Sequence, residues 1–552
     1  MSADIKILAA QLNPVVGDIQ GNLTLAREAY TKAIEGGADL LVLSEFFILG
    51  YPAEDLVLKP SAIDLSMKAV CELATETRNG PAIILGGPWS EAGALFNSAF
   101  FLADGDIQAR HDKRDLPNYG VFDEKRHFQP GTGEAVICSY KGVRIGLAIC
   151  EDLWFETVPR ALKAAGADLM IAPNASPWRR AIQTERATAF DRWSDLNLPY
   201  LFVNQVGGQD ELVFDGASYA TNSTHAARCG LVGQFETGEA LVTFDAETKQ
   251  FVDLGTGCNP DAEGWEAEYR AAVLALGDYV NKTRFPGVVL GLSGGIDSAL
   301  TAAICVDALG PERVWCVMLP SKYTSAESLE DAEACAKALG VRYDTISIAP
   351  GVAALGDMLA EQFAETQADT TEENIQSRLR AVTLMALSNK FGHMVVTTGN
   401  KSEMAVGYAT LYGDMCGGYN ALKDFYKTEV FELSRWRNSA VPKGALGPAG
   451  EVIPERIITK PPSAELRDDQ KDEDSLPPYG VLDDILRGLV DREEDLDDIV
   501  ARGHDEAVVR RIEHLVYIAE YKRRQAPPGV KVGGKNFGRD RRYPITNRFR
   551  DD

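Results

Sequence analysis

The chain has 552 residues, of which 45% are hydrophobic, 25% are charged and 8% are aromatic. This length exceeds what one hydrophobic core supports, so we expect at least two globular domains. Asp and Glu number 81 against 56 Lys and Arg, and the net charge of −25 opposes broad binding to nucleic acid or to an anionic membrane. We therefore expect neither nucleic acid nor a membrane as a partner, and any nucleotide site must be locally basic.

The amino-terminal segment predicts a cytoplasmic location. Residues 1–10 enter a strand-like pattern directly, without a basic region, a long apolar core or a cleavage site, and no apolar run reaches membrane-spanning length. The nine cysteines are scattered and the six histidines lack zinc-type spacing. We expect reduced thiols and no structural metal.

Short β-rich runs alternate with helical ones over residues 1–245, which predicts an α/β domain. A linker is expected over residues 246–265, because the part 254–264 carries three glycines and a proline and has no periodicity. A second domain is expected over residues 266–552. The predicted strands of the first domain are 5–12, 40–43, 83–86, 99–102, 144–149, 169–172 and 200–204, with a helix over 22–36.

The second domain begins with an alternating β-α-β-α-β pattern. Strands are predicted over 288–290, 314–319 and 343–348, and helices over 298–309 and from a capping box, Thr324-x-x-Glu327, to Gly340. Such a series predicts a doubly wound, Rossmann-like parallel sheet, which binds nucleotides at the carboxyl ends of its strands.

The loop after the first of these strands is the most informative stretch. It reads Gly291-Leu-Ser-Gly-Gly-Ile-Asp-Ser298, and its three glycines let backbone N–H groups approach a phosphate at the start of a helix. It lacks the Lys of the loop G-x-x-x-x-G-K-[ST], so γ-phosphoryl transfer is not the natural interpretation. The form S-G-G-x-D-S instead resembles the loop of ATP pyrophosphatases, which split ATP between the α- and β-phosphates. A turn needed only for packing is the simpler alternative.

Three chemically active residues in the first half each follow a predicted strand. Glu45 follows strand 40–43, Lys113 follows strand 99–102, and Cys150 directly follows strand 144–149. A thiol of ordinary pKa is only about 3% ionised at pH 7, so a nucleophilic cysteine requires a base or a nearby cation. Taken singly, a buried inert cysteine and two surface charges are the simpler interpretations.

Together these residues resemble the Glu-Lys-Cys triad of the nitrilase/amidase superfamily, over roughly residues 4–245. The matching segments are 43–46, 113–124 and 150–154. The resemblance implies a four-layer αββα sandwich, in which Cys150 attacks an amide carbonyl, Glu45 is the base and Lys113 stabilises the oxyanion. Glu124 would support Lys113.

The same resemblance places Tyr119, Ser176 and Glu124 at the glutamine-binding site. Relatives commonly have a basic residue six positions after that serine, but this chain has Ile182 there. A neighbouring arginine is one candidate to replace it. The polar neighbours of Ile182 are Arg179, Arg180 and Gln183.

Four further motifs, at residues 373–378, 397–403, 407–415 and 460–466, complete the pattern. With them the chain resembles the glutamine-dependent NAD⁺ synthetase family over essentially its whole length. The resemblance implies that glutamine, or free ammonia, supplies nitrogen. ATP with Mg²⁺ would adenylate the carboxylate of deamido-NAD⁺, and ammonia would convert the adenylate to NAD⁺ with release of AMP and pyrophosphate. It also implies a homo-oligomer.

The residues implied to bind these ligands are carried over by position. Asp297 and Glu403 would hold Mg²⁺, and Lys401 and Lys427 are weaker candidates for pyrophosphate contacts. Those implied for deamido-NAD⁺ are Asn374, Glu403 and Lys522. Those implied for ATP are Leu290, Gly291, Leu292, Ser293, Gly294, Gly295, Ile296, Asp297, Ser298 and Thr398.

Two other functions remain open at this point. One is an ATP-pyrophosphatase amidotransferase with a different acceptor, and the other is a carbon–nitrogen hydrolase fused to a nucleotide-binding regulatory module.

Two charged segments are also notable. The acidic segment 483–498 predicts a solvated helix face. The basic segment 531–550 holds seven Lys or Arg and one Asp, and it predicts either contact with phosphates or a subunit, or an exposed tail.

Overall fold

The computed structural model describes residues 4–224, 228–252, 254, 259 and 261–549. The chain folds as two units: the first comprises Met1–Gln209 with Val213–Ala262, and the second comprises Asp210–Leu212 with Glu263–Asp552. Part of the predicted linker, at 253, 255–258 and 260, lies outside the described residues.

The strands of the first unit are more numerous than the sequence pattern predicted. Four helices accompany them in the described residues: α1 (Ile19–Glu35), α2 (Pro60–Glu76), α3 (Thr157–Ala164) and α4 (Ile182–Phe190). The strands are β1 (Ile5–Gln11), β2 (Leu40–Val42), β3 (Ala82–Glu91), β4 (Ala94–Ala103), β5 (Asp106–Asp112), β6 (Ile137–Tyr140), β7 (Val143–Leu147), β8 (Leu169–Asn174), β9 (Tyr200–Asn204), β10 (Val206–Gln209), β11 (Leu212–Asp215), β12 (Tyr219–Thr221), β13 (Cys229–Gly230), β14 (Gly238–Asp245) and β15 (Gln250–Val252).

Two large sheets form the centre of this unit. One has the order β15-β14-β1-β2-β3-β4-β5 and the other the order β13-β12-β9-β8-β7-β6. Alternate residues of the strands, such as Ile5 and Ile7 of β1 and Ile145 and Leu147 of β7, share one buried cluster. Because alternate side chains point to the same face of a strand, the two sheets pack face to face.

Helices cover the outer face of each sheet. Leu162 of α3 and Phe190 of α4 join Met170 and Tyr200 in a second buried cluster, on the opposite face of the second sheet. Helix α2 packs against β3 and β5 of the first sheet, and α1 packs against α2 and β2. The predicted four-layer αββα sandwich is therefore confirmed.

The second unit contains a parallel sheet and many helices. Its strands are β16 (Val288–Gly291), β17 (Val314–Met318), β18 (Arg342–Thr345), β19 (Met394–Thr397) and β20 (Tyr419–Asn420). The helices are α5 (Gly264–Lys282), α6 (Ile296–Leu309), α7 (Ala326–Leu339), α8 (Ala349–Leu359), α9 (Thr370–Phe391), α10 (Lys401–Val406), α11 (Lys427–Ser439), α12 (Glu455–Thr459), α13 (Tyr479–Leu486), α14 (Leu496–Ala501), α15 (Glu506–Ile518) and α16 (Glu520–Arg523).

The strand order of this sheet is β18-β17-β16-β19-β20, and every described pair is parallel. The chain winds outward from β16 in one direction through β17 and in the other through β19. This reversal is a topological switch point, where doubly wound sheets bind ligands. The predicted doubly wound sheet is confirmed, and the loop 291–298 lies at its switch point.

Two local predictions were wrong. Helix α7 begins one residue later than the predicted capping box requires, because Ser325 is the N-cap and its hydroxyl accepts from the Ser328 N–H. The acidic segment 483–498 is not a solvated face throughout. Asp483 is fully buried and accepts hydrogen bonds from the Ser402 hydroxyl and the Thr428 N–H.

The basic carboxyl-terminal segment is docked at Lys531 and Arg541, whereas Arg539 between them is exposed. Lys531 is 5% exposed and pairs with Asp540, and Arg541 is 5% exposed and lies 3.4 Å from Glu520. These arginine and lysine side chains neutralise acidic groups of the same unit.

Two other predictions concern thiols and membranes. Seven cysteines are free thiols, but Cys229 is disulfide-bonded, so the expectation of uniformly reduced thiols was wrong there. Within the part of the chain that is described, each helix is too short or too polar to cross a bilayer.

Candidate functional site

The residues predicted to act as nucleophile, base and oxyanion donor lie together in the first unit. Glu45 follows β2, Lys113 follows β5, and Cys150 follows β7. Glu45 and Lys113 are each 1% exposed and Cys150 is 7% exposed. With Glu124, which is also buried, these residues are called the triad cluster.

Glu45 is held by hydrogen bonds on both of its carboxylate oxygens. Lys113 Nζ and Asn97 Nδ2 each lie 2.8 Å from Oε1, and the Ala175 backbone N–H donates to Oε2 at 2.9 Å. A buried carboxylate with this many donors is stabilised without solvent. Asn97 is a site residue that the sequence did not reveal, since it lies inside β4 without a local motif.

Lys113 also binds a second carboxylate, which fixes its direction. Its Nζ lies 2.9 Å from Glu124 Oε1, and the same oxygen accepts from the Tyr51 hydroxyl at 2.8 Å. Burial alone would lower the pKa of Lys113, but Glu124 and Glu45 raise it well above its ordinary value. Lys113 is therefore a permanent cation beside the thiol.

Cys150 occupies the tip of a tight turn. Its φ is +40°, in the left-handed region that residues other than glycine rarely adopt. Cys150 begins the short 3₁₀ turn Cys150–Leu153. Burial and the Glu45 carboxylate raise the pKa of the Cys150 thiol well above its ordinary value, although Lys113 acts in the opposite direction. The resting thiol is protonated, so nucleophilic attack needs the adjacent base.

Two residues predicted to bind the substrate lie near the triad cluster. The Tyr119 hydroxyl donates to Glu151 Oε1 at 2.9 Å, beside Cys150, while half of the Tyr119 side chain remains exposed. Ser176 is buried and directly follows Ala175. Both positions border the cluster without belonging to its ion pairs.

The basic side chain beside Ser176 is Arg186, which no motif in the sequence indicated. Arg186 is fully buried, and its guanidinium donates to the Ser176 carbonyl and hydroxyl at 3.0 Å. Arg179 pairs with Glu185 instead. The residue at 182 is a buried isoleucine in α4, so it carries no charge to this region.

The glycine loop, residues 291–298, forms the second candidate site. At Gly294 φ is +79°, and a Cβ there would lie 2.4 Å from the Ser328 carbonyl oxygen, so only glycine fits. The Ser298 hydroxyl accepts from the Ser293 N–H and donates to the Gly295 carbonyl, which fixes the turn. Helix α6 begins at Ile296, and its positive end favours an anion at the loop.

A cavity of about 290 Å³ adjoins this loop. All the residues of the predicted ATP set except Leu290 line it, and Leu290 is instead fully buried in β16. Glu403 also lines it, together with the segment 460–466. The remaining charged residues of the wall are Arg380, Asp414, Lys427 and Asp472.

Two carboxylates in the cavity converge on one cation. Lys427 Nζ pairs with Asp297 Oδ2 and lies 3.0 Å from Glu403 Oε1. Asn400 Nδ2 donates to the other oxygen of Asp297 at 2.8 Å, and its own oxygen accepts from the Glu403 N–H. Burial raises the pKa of Glu403 to about 8, although Lys427 opposes that shift. Two carboxylates aimed at one positive centre suit a divalent ion whose other ligands are phosphates and water.

Asn374 and Lys522 meet at a segment next to Glu403. Asn374 Oδ1 accepts from the Thr410 hydroxyl at 2.8 Å, and Lys522 Nζ donates to the Gly407 and Ala409 carbonyls, each at 2.7 Å. Neither side chain lines the 290 Å³ cavity. The three residues predicted for one dinucleotide therefore border a single loop.

Lys401 does not fit the predicted pyrophosphate contact. It is 1% exposed and pairs with Asp424 at 2.8 Å and Asp491 at 3.0 Å. Its ammonium also donates to the Lys535 carbonyl. Lys401 therefore stabilises the fold, and of the two weaker candidates only Lys427 faces the cavity.

Comparison with known families divides the chain in the same way. The carbon-nitrogen hydrolase family matches residues 6–251, and the NAD synthase family matches residues 268–526. The first match contains the triad cluster and the second contains the glycine loop.

Individual relatives match over the full length. The chain is 48% identical to a glutamine-dependent NAD(+) synthetase of Rhodobacter capsulatus, with 100% of both chains covered. It is 46% identical to one of Xanthomonas campestris pv. campestris, covering 99% of this chain and 98% of that one. A solved structure of the glutamine-dependent NAD+ synthetase of Acinetobacter baumannii, in complex with ADP, is 40% identical with a TM-score of 0.78, covering 99% of each chain.

Proposed function

Because this chain belongs to the family of glutamine-dependent NAD(+) synthetases, we propose that its two residue clusters divide one reaction between them. The enzyme releases ammonia from glutamine and uses ATP to convert the carboxylate of deamido-NAD⁺ into the amide of NAD⁺, with AMP and pyrophosphate as products. In the proposal, the triad cluster releases ammonia and the glycine-loop cavity performs the ligation. The observation that carries this division is that each cluster lies within one unit.

At the triad cluster, Cys150 Sγ attacks the carboxamide carbon of glutamine while Glu45 accepts the thiol proton. The charge that develops on the carbonyl oxygen is stabilised by Lys113, the electrostatic contribution that is usually largest. The C–N bond then breaks, Glu45 returns the proton to the leaving nitrogen, and a γ-glutamyl thioester remains. Glu45 next activates water, which hydrolyses the thioester to glutamate and the free thiol.

The ion pairs of the cluster support these roles. Lys113 contacts Glu45 and Glu124 through one ammonium group, so it remains charged and directed by two carboxylates. Glu124 Oε1 accepts hydrogen bonds from Lys113 Nζ and from the Tyr51 hydroxyl. These contacts support a role for Glu124 in orienting Lys113 rather than in binding glutamine directly. Tyr119 and Ser176 remain the proposed glutamine contacts. The Arg186 guanidinium holds Ser176 in place through hydrogen bonds to its carbonyl and hydroxyl oxygens.

In the second unit, the loop 291–298 and Thr398 are proposed to bind ATP. The deamido-NAD⁺ carboxylate attacks the α-phosphorus and pyrophosphate leaves, which activates the carboxylate as a mixed anhydride. Ammonia attacks the anhydride carbon, and AMP leaves as NAD⁺ forms. Holding ammonia at this carbon removes an entropic barrier of up to about 7–11 kcal/mol in favourable cases.

We propose Asp297 and Glu403 as the residues that hold Mg²⁺. Their fit rests on the convergence of both carboxylates on Lys427 Nζ, which occupies the position of a cation. When bound, the ion would neutralise phosphate charge during pyrophosphate departure. Among the described residues no group of three or more His, Cys, Asp or Glu could hold a metal, so phosphate and water oxygens complete the proposed coordination.

Asn374, Glu403 and Lys522 are proposed to bind deamido-NAD⁺ around the segment 407–410. Tyr408 in this segment lines the cavity, and its N–H donates to the Glu403 carbonyl at 2.9 Å. A dinucleotide contact that reorders this segment would therefore act directly on a proposed Mg²⁺ ligand.

A homo-oligomer in the cytoplasm is also proposed. Its support is the apolar exposure on two helices in contact, α8 and α9, where Met358 is 72% exposed and Val382 is 62% exposed. Large apolar side chains that remain exposed are candidates for subunit contacts. Light scattering of the purified protein measures the assembly directly.

The division of labour is tested by Cys150→Ala with two nitrogen sources. Synthesis of NAD⁺ from glutamine should be abolished, and synthesis from ammonium salts should remain within about 2-fold of wild type, because the glycine-loop cavity keeps all its residues. Cys138→Ala is the matched control, since Cys138 is a buried free thiol of the same unit outside the cluster. Loss of both activities in a folded Cys150→Ala protein would refute the division.

A further inference from the structure

One buried carboxylate outside the triad cluster contacts the chain on both sides of the catalytic residues. Asp152 is fully buried, two residues after Cys150. Its Oδ1 accepts from the Arg114 and Asp115 backbone N–H groups, each at 3.0 Å. Its Oδ2 accepts from the Ile149 N–H at 3.0 Å and lies 2.8 Å from His111 Nε2.

The contact with Ile149 closes the turn that presents the nucleophile. The Asp152 N–H donates to the Ile149 carbonyl at 2.9 Å, while the Asp152 side chain accepts from the Ile149 N–H. Two hydrogen bonds in opposite directions therefore join residues 149 and 152, with Cys150 and Glu151 at the tip. Because Cys150 has a φ of +40°, this turn needs such support to persist.

The other contacts hold the segment that carries the oxyanion donor. Arg114 and Asp115 immediately follow Lys113, and His111 lies two residues before it at the end of β5. His111 is 2% exposed, and since a carboxylate only accepts, its Nε2 carries the hydrogen toward Asp152. One carboxylate thus fixes the backbone on both sides of Lys113 and the turn of Cys150.

Asp152 is well suited to remain ionised in this position. Burial opposes ionisation, but the His111 ring and the backbone N–H groups hold the pKa of Asp152 below its ordinary value. A fully buried carboxylate with four hydrogen-bond donors is a structural anchor rather than an acid or base.

We propose that Asp152, oriented by His111, is the positioning residue that sets the Cys150 thiol and the Lys113 ammonium in the geometry for glutamine cleavage. This inference rests on the proposed function of the triad cluster. The Asp152 carboxylate is bonded to three backbone N–H groups and the His111 ring, so it acts through the positions of Cys150 and Lys113.

Asp152→Asn tests this role with nearly unchanged volume. Whichever way the amide turns, its NH₂ group faces two N–H donors, so one side of the anchor is lost. A displacement of about 1 Å at a catalytic group costs roughly 10²-fold in rate, so kcat with glutamine should fall about 10²-fold with little change in KM. Synthesis from ammonium salts should remain within about 2-fold of wild type. This assay is the control for folding, because general unfolding would lower it as well.

His111 supplies a second, milder pair of variants. His111→Leu removes the donor to Asp152 and should lower kcat with glutamine roughly 10-fold, and His111→Gln, which keeps an N–H donor, should recover most of that loss. His504→Leu is the matched control, because it removes another histidine–aspartate contact, with Asp484 in the second unit. It should leave both nitrogen sources unaffected.

Alkylation of Cys150 by iodoacetamide, followed by mass spectrometry, reports on the thiol itself. Its rate should change at least 5-fold in Asp152→Asn and in His111→Leu, but not in His504→Leu, because only the first two alter the turn.

Wild-type kcat with glutamine in both Asp152→Asn and His111→Leu, with activity lost in Cys150→Ala, would overturn the positioning role alone. Glutamine-supported synthesis that survives in Cys150→Ala would overturn the proposed function first. If Asp152→Asn does not fold, the difference between His111→Leu and His111→Gln decides the matter.

Discussion

Lys113 Nζ lies 2.8 Å from Glu45 Oε1, and both side chains are almost completely shielded from solvent. This contact joins the proposed oxyanion donor to the proposed base. A buried ion pair of this kind is costly to break on one side, because the remaining charge stays unpaired in a medium of low dielectric constant. The pair is therefore a sensitive point for both activity and stability.

Lys113→Met should lower glutamine-supported kcat by about 10²–10³-fold, as expected when one oxyanion donor is removed. The two unpaired carboxylates, Glu45 and Glu124, should also destabilise the first unit by about 3–5 kcal/mol. Steady-state kinetics with both nitrogen sources and thermal unfolding measure these effects. Lys125→Met is the control, since Lys125 is an exposed lysine nearby. Undiminished glutamine turnover in Lys113→Met would show that another group stabilises the oxyanion.

Glu151 predicts a pH-dependent stability. Burial raises the pKa of Glu151 from 4.5 to about 7, so between these values the folded state binds more protons than the unfolded state. Stability therefore falls as the pH rises through this window, by about 3 kcal/mol at most. Glu151→Gln removes the titration.

The difference in melting temperature between Glu151→Gln and wild type isolates this effect. It should shift in favour of the variant as the pH rises from about 5 to about 8, because only the wild type gains a buried charge. A difference that stays constant across this range would mean that folding does not raise the pKa of Glu151 into it. Scanning calorimetry at several pH values provides the measurement.

Gly294→Ala should abolish ATP binding and both routes to NAD⁺. The added Cβ would approach the Ser328 carbonyl to 2.4 Å at a φ of +79°, so the loop must change shape. Calorimetric titration with ATP measures the loss, with Gly356→Ala as control because nothing lies within 4 Å of a Cβ at that position of α8. Normal ATP affinity in Gly294→Ala would show that the loop does not bind the phosphates through this conformation.

Asp297→Asn should eliminate synthesis from glutamine and from ammonia alike. The amide keeps the shape of the side chain but loses the charge that faces Lys427 and the proposed ion, so binding of Mn²⁺ with ATP should weaken at least 10-fold. Electron paramagnetic resonance of Mn²⁺ follows this binding without any turnover. Asp357→Asn, at an exposed position of α8, serves as control. Near-normal ammonia-supported turnover in Asp297→Asn would contradict the metal assignment.

The sequence predicted the architecture because the strongest signals were local. Strand alternation, the glycine loop and the helix closed at Gly340 each depend on residues close in the chain, and the structure contains them. Strand β5 was missed because its residues are half-exposed, so Lys113 was attributed to the end of β4. The buried state of Asp483 was missed because an acidic run was treated as uniformly solvated.

The contacts that complete the sites could not be predicted from spacing. Asn97 and Tyr51 reach their partners from distant parts of the chain, Arg186 reaches Ser176 from 10 residues away, and none of the three belongs to a recognisable motif. Asp152 lies within the motif around Cys150, yet its partners at 114 and 115 depend on tertiary packing. Lys401 illustrates the reverse, since a cation within a nucleotide-binding motif is used for internal ion pairs.

In the proposed reaction, ammonia released at Cys150 reaches a carboxylate that has been adenylated at the glycine loop. Turnover of wild-type enzyme with amide-¹⁵N glutamine, deamido-NAD⁺ and MgATP, analysed by mass spectrometry, tests it in one measurement. We predict ¹⁵N-labelled NAD⁺ together with equal amounts of AMP and pyrophosphate. ADP and inorganic phosphate in place of AMP and pyrophosphate, or NAD⁺ without the label, would show that the two sites are not coupled in this way.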